Sequence, residues 1–278
     1  MSYKCVIIGA GNKGALSDAP GTGNEHKYIS YGHTIKDNDN FKLMGFADTD
    51  LDKRLTACDL WGGGSICAPE KYCEECFNIY YETDIAIVAT PDDMHYQTLK
   101  RLATYPLKLV ICEKPLCNKL EEAEEIIEIY KKAGIPLLID YTRRFIPEYR
   151  KDKEEIEKGN WGKFIKGYCY YNRGTLHTLS HFVNMALWFN GNLDNIIIQE
   201  VETDYRWIYQ WGLFYEKDFI SEHAVNFRKN PKVPSMYDNH LLHVMENAYN
   251  YLEGKETLIC DGPEALRTLK ETTNYIRR

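Results

Sequence analysis

Residues Glu113-Lys114-Pro115 close the apolar run Leu107-Lys108-Leu109-Val110-Ile111-Cys112. Such a run reads as a parallel strand, and its carboxyl end lies where open α/β sheets bind ligands. A lysine there suits a reaction at oxygen. As a cation it stabilises a developing alkoxide, and with a lowered pKa it exchanges the hydroxyl proton itself. Most lysines are simply solvated, but the strand-end position beside Pro115 sets Lys114 apart. His177 and His181, four residues apart, share a helical face or flank a helix start, and imidazole moves protons near neutral pH. The same spacing could hold zinc, yet no H-E-x-x-H pattern accompanies it, so proton transfer or substrate binding is the favoured role.

The elements that position these groups begin with Tyr3-Lys4-Cys5-Val6-Ile7-Ile8, a buried strand followed at once by Gly9-Ala10-Gly11-Asn12-Lys13-Gly14. Glycines in that place let the backbone approach a pyrophosphate, whereas a tight βα turn without ligand is the plainer alternative. A second strand, Phe41 to Ala47, ends in Asp48. A carboxylate there accepts hydrogen bonds from an adenosine ribose and repels a 2′-phosphate, which favours NAD over NADP. Lys53 and Arg54 close behind are the counter-argument. The gap from position 14 to position 48 is 34 residues, where the dinucleotide pattern expects about 20. Residues 16–26, rich in loop formers, read as an insertion that breaks the first helix into a short turn and a later segment near Tyr28 to Lys36.

Further along, Asp84 to Thr90 and Ile135 to Tyr141 read as parallel strands, and Lys119 to Lys132 as an amphipathic helix stopped by Gly134 and Pro136. After that the alternation ceases. The segments Lys163 to Tyr171, Asn195 to Glu202, Tyr205 to Tyr215 and Asp218 to Phe227 are strand-like and lack crossover helices, which predicts a mostly antiparallel sheet. Helices are expected at Ser180 to Phe189, Tyr237 to Leu252 and Pro263 to Ile276. The fold class is therefore an α/β Rossmann domain, residues 1–141, followed by an α+β domain, residues 142–278. Tyr168, Tyr170, Tyr171, Tyr205, Trp207, Tyr209 and Trp211 alternate along the strands and read mainly as packing or interface residues.

Composition agrees. The 278 residues are 44% hydrophobic with a net charge of −7, and no basic stripe or RNA-type aromatic motif points to nucleic acid. No apolar run is long enough to span a membrane, and a cytoplasmic location is the simplest expectation. Nine cysteines, an odd number, do not form a secreted disulfide framework. Cys73 and Cys76, with Cys58 and Cys67 upstream, invite a zinc reading, but structural thiols are favoured and no metal is expected.

Taken in order, Gly9 to Gly14, Phe46-Ala47-Asp48, Ala89-Thr90-Pro91 with His95, Glu113-Lys114-Pro115, Arg143-Arg144-Phe145-Ile146-Pro147 and the helix start at His181 resemble the Gfo/Idh/MocA oxidoreductases over nearly the whole chain. The resemblance implies NAD(P)-linked oxidation or reduction of sugars, polyols or nucleotide sugars, and an open-faced antiparallel sheet used for homo-oligomerisation. It makes Lys114 the expected catalyst, with Glu113 shaping the nicotinamide site and Pro115 following a cis peptide. Gly9, Gly11, Asn12, Gly14, Asp48, Thr90, Pro91 and His95 would bind the cofactor, and Arg144 would border the substrate. The family usually carries an aspartate four residues before the histidine; His177 stands there instead, and Asn184 replaces another frequent acid. Arg173-Gly174-Thr175-Leu176-His177-Thr178-Leu179-Ser180-His181 is similar to a subset associated with surface-polysaccharide sugars, which adds Arg173 as a substrate residue and His177 beside His181 as catalytic. Two other readings are a redox-neutral sugar-processing enzyme that uses NAD transiently and a non-catalytic dinucleotide- or sugar-binding regulator.

Overall fold

The computed structural model describes residues 2–22, 27–68, 74–202, 207–227, 230–231 and 239–276. Contacts divide the chain into two compact units, Met1–Thr142 with Asp238–Leu266, and Arg143–Tyr237 with Arg267–Arg278.

The first unit holds six parallel strands, β1 (Tyr3–Ile8), β2 (Phe41–Ala47), β3 (Gly64–Ile66), β4 (Ile85–Val88), β5 (Leu109–Glu113) and β6 (Leu137–Asp140), in the order β3-β2-β1-β4-β5-β6. The order reverses between β1 and β4, and ligands of open α/β sheets bind at the carboxyl ends beside such a switch point. The central strands are apolar throughout, as a sheet covered on both faces requires: Val6, Ile7, Ile85, Ile87, Val110 and Ile111 are wholly buried.

Between β1 and β2 the chain makes a short π-turn, Asn12–Leu16, and only later the helix α1 (Tyr31–Lys36), matching the expected break. Part of the intervening loop is pinned by Asp18, which accepts hydrogen bonds from Ile29 N at 3.0 Å and His33 Nδ1 at 2.9 Å. Helices α2 (Leu51–Trp61), α3 (Glu74–Tyr81), α4 (His95–Leu102) and α5 (Leu120–Ala133) make the remaining connections. In α5 the early glutamates, late lysines and left-handed Gly134 cap follow the helix dipole and stop signals of its sequence.

The second unit contains α6 (Pro147–Glu157), β7 (Phe164–Tyr171), a π-turn at Thr175–Leu179, α7 (Ser180–Asn190), β8 (Ile196–Glu200), β9 (Trp207–Tyr215), β10 (Phe219–Phe227) and β11 (Asn230–Pro231). Its sheet order is β11-β10-β9-β7-β8. The pairs β7–β9, β9–β10 and β10–β11 are antiparallel, but β7–β8 is parallel. The expectation that crossover helices are lacking is thus corrected once: a parallel neighbour cannot be reached by a hairpin, and α7 supplies the crossover. One sheet face packs Cys169, Tyr171, Tyr209, Trp211 and Leu213 against Phe182, Val183 and Phe189 of α7. The other carries Tyr168 and Phe214, stacked at 6.0 Å, and leaves Ile197 and Phe219 exposed. Alternation thus sorts the described members of the aromatic cluster into core and outer face; Tyr205 and the Trp207 side chain lie outside what is described.

The division of the chain departs from the single expected break after residue 141. Residues 238–266, α8 (His240–Leu252) and the first residues of α9 (Gly262–Ile276), belong with the first unit. Leu241, Val244, Met245 and Ala248 are buried, and Tyr249 meets Tyr3 and Phe41 edge-on. Beyond α8, Leu138 bridges Asp261 and Ile139 N donates to Cys260 O at 2.9 Å. The returning chain thereby covers the otherwise open edge of β6, a cover that sheet edges require.

A buried ion pair holds the second unit. Arg143 Nε and Nη2 each donate to Glu222 at 2.8 Å, and Tyr149 and Trp211 donate to the same carboxylate at 3.0 and 3.2 Å. Removing one member of a buried pair leaves an uncompensated charge. Arg143→Met should therefore cost about 3–5 kcal/mol in denaturant unfolding, and a loss below about 1 kcal/mol would show that water reaches Glu222.

Candidate active site

The glycine turn at the end of β1 is closed by direct backbone contact. A Cβ on Gly14 would stand 1.8 Å from the Gly9 carbonyl oxygen, and Gly9, at φ +99°, would meet Ala89 O at 2.4 Å. Gly11 differs. Its φ is −78°, which any residue adopts, and a Cβ there would meet nothing within 4 Å. Packing does not require that glycine, and the space beside it leaves the backbone open to close approach. Asn12 is exposed next to it. Asp48, at the end of β2, accepts from Ala10 N at 2.8 Å and from Asp50 N at 2.9 Å. A carboxylate has about four lone-pair sites, so Asp48 braces the turn and retains capacity for ribose hydroxyls.

Across the switch point, Thr90 and Pro91 follow β4. Thr90 Oγ1 is buried with no hydrogen-bond partner among the described residues, and Pro91 is exposed. His95, expected to line the crevice, is wholly buried instead. Its Nδ1 donates to Pro115 O at 2.7 Å, and Nε2 stands 3.1 Å from Thr90 O. Burial pushes its pKa down, and the ring lies between the Thr90 loop and the cis Lys114–Pro115 peptide. It shapes the crevice from beneath and presents no free edge to a ligand.

Glu113 ends β5, and in the parallel register its neighbour is Asp140, the last residue of β6. Both are buried. Asp140 Oδ2 accepts from Tyr31 OH at 2.9 Å and Oδ1 from Thr142 Oγ1 at 3.0 Å, whereas Glu113 Oε1 has no hydrogen-bond donor among the described residues. Lys13 Nζ, from the glycine turn, lies 3.9 Å from Glu113 Oε1 and donates to His240 Nε2 at 2.9 Å. Burial, only partly offset by Lys13, pushes the Glu113 carboxyl up to about 8, with Asp140 adding to the rise. Lys114 follows, half-buried. Sequence reasoning missed Asp140, Tyr31 and Lys13; an acid closing the apolar strand Leu137–Asp140, as Glu113 closes β5, was the available signal.

The model of the oxidoreductase family with an NAD-binding Rossmann fold matches residues 3–141. The chain belongs to the Gfo/Idh/MocA family. Rhizopine catabolism protein MocA of Rhizobium meliloti is 32% identical over 89 residues, 32% of this chain and 28% of that protein. A scyllo-inositol 2-dehydrogenase (NAD(+)) of Bacillus subtilis is 31% identical over 103 residues, 36% of this chain and 30% of the relative. The chain thus matches about a third or less of those relatives' length. Among solved structures, scyllo-inositol dehydrogenase from Lactobacillus casei with bound NAD(H) and scyllo-inositol has a TM-score of 0.73 at 13% identity, covering 98% of this chain and 95% of that one. WlbA dehydrogenase from Bordetella pertussis, in complex with NADH and UDP-GlcNAcA, gives 0.70 at 15% identity, covering 99% and 95%. At such identities the likeness is one of fold. The Gfo/Idh/MocA enzymes are oxidoreductases with an NAD-binding domain, and the first unit carries that domain.

In the second unit of this family member, His177 is exposed in the π-turn and His181, half-buried, is the second residue of α7. Arg173 is exposed at φ +70°, a left-handed conformation uncommon outside glycine. Arg144, expected at the edge of a substrate pocket, is buried, donates through Nε to Asn184 Oδ1 at 2.7 Å and lies over Trp188. Asn184 in turn donates to Thr268 Oγ1 at 2.9 Å. Arg144 therefore orders α7, a correction to its expected role. Cys73 lies outside the described residues, as does the Cys76 side chain, so the Cys73–Cys76 spacing has no structural account. No cluster of metal-ligating side chains occurs among the described residues.

The raised Glu113 carboxyl has a consequence for stability. A folded-state pKa of about 8 against an ordinary 4.5 means that the folded protein holds a proton the unfolded chain has lost. Stability then falls as pH rises through that window. Glu113→Gln removes the titration, so the stability difference should move in the variant's favour between about pH 5 and about pH 8. Denaturant melts of both proteins at the two pH values read this; a constant difference would place Glu113 in the ordinary carboxylate range.

Proposed function

We propose that the protein is an NAD(H)-dependent dehydrogenase or reductase that moves a hydride between nicotinamide and a CH–OH carbon of a sugar, polyol or nucleotide sugar. The observation that carries this reading is the junction at the carboxyl edge of the first sheet: Lys13 of the glycine turn lies 3.9 Å from Glu113, the residue before Lys114. The cofactor cradle and the proposed catalyst thus adjoin. Gly9, Gly11, Asn12, Gly14, Asp48, Thr90 and Pro91 would hold the dinucleotide. When bound, NAD⁺ supplies the hydride acceptor, and the substrate carbon becomes a carbonyl as its hydroxyl proton leaves.

Lys114 takes that proton in oxidation and returns it in reduction, while its charge stabilises the alkoxide. In the second unit His181 is proposed as a proton-exchanging residue, with His177 orienting it and Arg173 binding the substrate. A polyhydroxylated substrate is supported by the relatives named for scyllo-inositol and by the neighbour solved with UDP-GlcNAcA. The outer face of the second sheet, with Ile165, Ile197 and Phe219 exposed, is the proposed surface for homo-oligomerisation. Among the described residues no helix is long and apolar enough to cross a membrane.

A spectrophotometric screen for NADH formation over polyols and nucleotide sugars tests the activity. Lys114→Ala should lower kcat by on the order of 10² to 10⁴ and leave NADH affinity nearly intact. His181→Asn should depress kcat, and His177→Asn should mainly raise KM. Near-normal kcat in the Lys114 variant would remove that residue from the mechanism.

Cofactor choice is tested separately, because Asp48 places a negative charge beside the turn. NADH should bind more tightly than NADPH by calorimetry, and Asp48→Ala should narrow the preference. Tighter NADPH binding by the unaltered protein would overturn the assignment.

A further inference from the structure

We propose that Glu113 and Asp140 share a single proton, held on Glu113, and that Asp140 is thereby a positioning residue for Lys114. The inference rests on the reading of Lys114 as the group that handles the substrate proton. Its basis is the register: Glu113 and Asp140 end neighbouring parallel strands as direct partners and are both buried, so their carboxyls project side by side from one face of the sheet. Two ionised carboxylates in contact repel and offer each other no donor. One proton turns the repulsion into a hydrogen bond.

The surrounding donors decide which carboxyl keeps it. Asp140 is served at both oxygens, by Tyr31 OH from α1 and by Thr142 Oγ1 from the chain after β6. Those donors occupy both of its oxygens. Among the described residues Glu113 Oε1 receives none, and Lys13 Nζ is 3.9 Å away and engaged with His240 on α8. Cys112 on β5 is a buried thiol with a raised pKa and contributes no charge at neutral pH. The charged groups facing Glu113 are therefore Lys13, Lys114 and Asp140. With the proton in place the two carboxyls carry one negative charge in total, held on the strand beyond Lys114. Were Glu113 ionised, a second anion would sit beside Lys114 and tighten its hold on its own proton.

The test uses ligand-free protein labelled with ¹³C at the glutamate side-chain carboxyls, with Glu113→Gln assigning the Glu113 signal. In the wild type that signal should remain in its acid form at neutral pH. Asp140→Asn removes the facing charge and offers an amide donor, so the Glu113 titration should drop by roughly one pH unit or more. Tyr31→Phe is the milder variant and carries the test should Asp140→Asn fail to fold. It weakens the anionic form of Asp140, so part of the proton should pass there and the Glu113 acid signal at neutral pH should shrink. Glu113 ionised at neutral pH in the wild type, or unmoved in both variants, would overturn the shared proton. With an active substrate, Asp140→Asn should also shift the pH profile of kcat. An unmoved profile beside a moved titration would overturn the link to Lys114. Failure of every substrate would count against the oxidoreductase reading alone, because the titration needs no ligand.

Discussion

The carboxyl edge of the first sheet depends on the closeness of two backbone segments. With the Gly9 carbonyl where a Gly14 Cβ would otherwise stand, and Ala89 pressed against Gly9, the chain leaving β1 bends directly over the end of β4. Asp48 ties the bend to β2 through Ala10 N, so three strand ends are fixed relative to one another. The π-turn that follows projects Lys13 toward the end of β5. Displacing the turn by the width of a methyl group would move the proposed cofactor cradle and the Lys13 ammonium that faces Glu113 together. This geometric coupling explains why glycine is needed at positions 9 and 14 for packing.

Two buried glutamates show how donors decide the use of a carboxyl. Glu222 receives both arms of Arg143 together with Tyr149 and Trp211. That many donors stabilise an anion and lock β10 to the start of the second unit, which makes the pair a structural device. Glu113 has a donor-free oxygen, a distant lysine and a second carboxyl as neighbour. Such an arrangement is poor for stability and typical of groups whose protonation is put to use.

The features legible in the sequence were those whose physics is local. The glycine turn follows its strand directly, the parallel strands are continuous apolar runs, and α5 carries its own glycine C-cap and charge gradient. The break in the first helix was readable because residues 16–26 are loop formers. What escaped depends on distant partners. Nothing around Leu241 or Cys260 states that the chain returns to cover β6. His95 looked like a crevice residue because its spacing is right, yet its environment is set by Pro115, twenty residues on. Arg144 was read as a substrate residue, whereas Asn184, forty residues away, occupies its guanidinium. Asp140 was passed over because a single acid at a strand end carries no signal until its lateral neighbour is known.

The departures from the family pattern now acquire a physical direction. At 177 and 184 the resemblance expects acids, and the chain has His177, exposed, and Asn184, buried between Arg144 and Thr268. Asn184 uses both ends of its amide, accepting from Arg144 and donating to Thr268, so the α7 start is held without a carboxylate. Neither position supplies the fixed negative charge that would hold a neighbouring imidazolium. In the first unit the balance runs the other way, with two acids side by side at the strand ends next to Lys114. On the proposed reading of Lys114 as the proton-handling group, the carboxyls that bear on its charge are those at its own sheet edge.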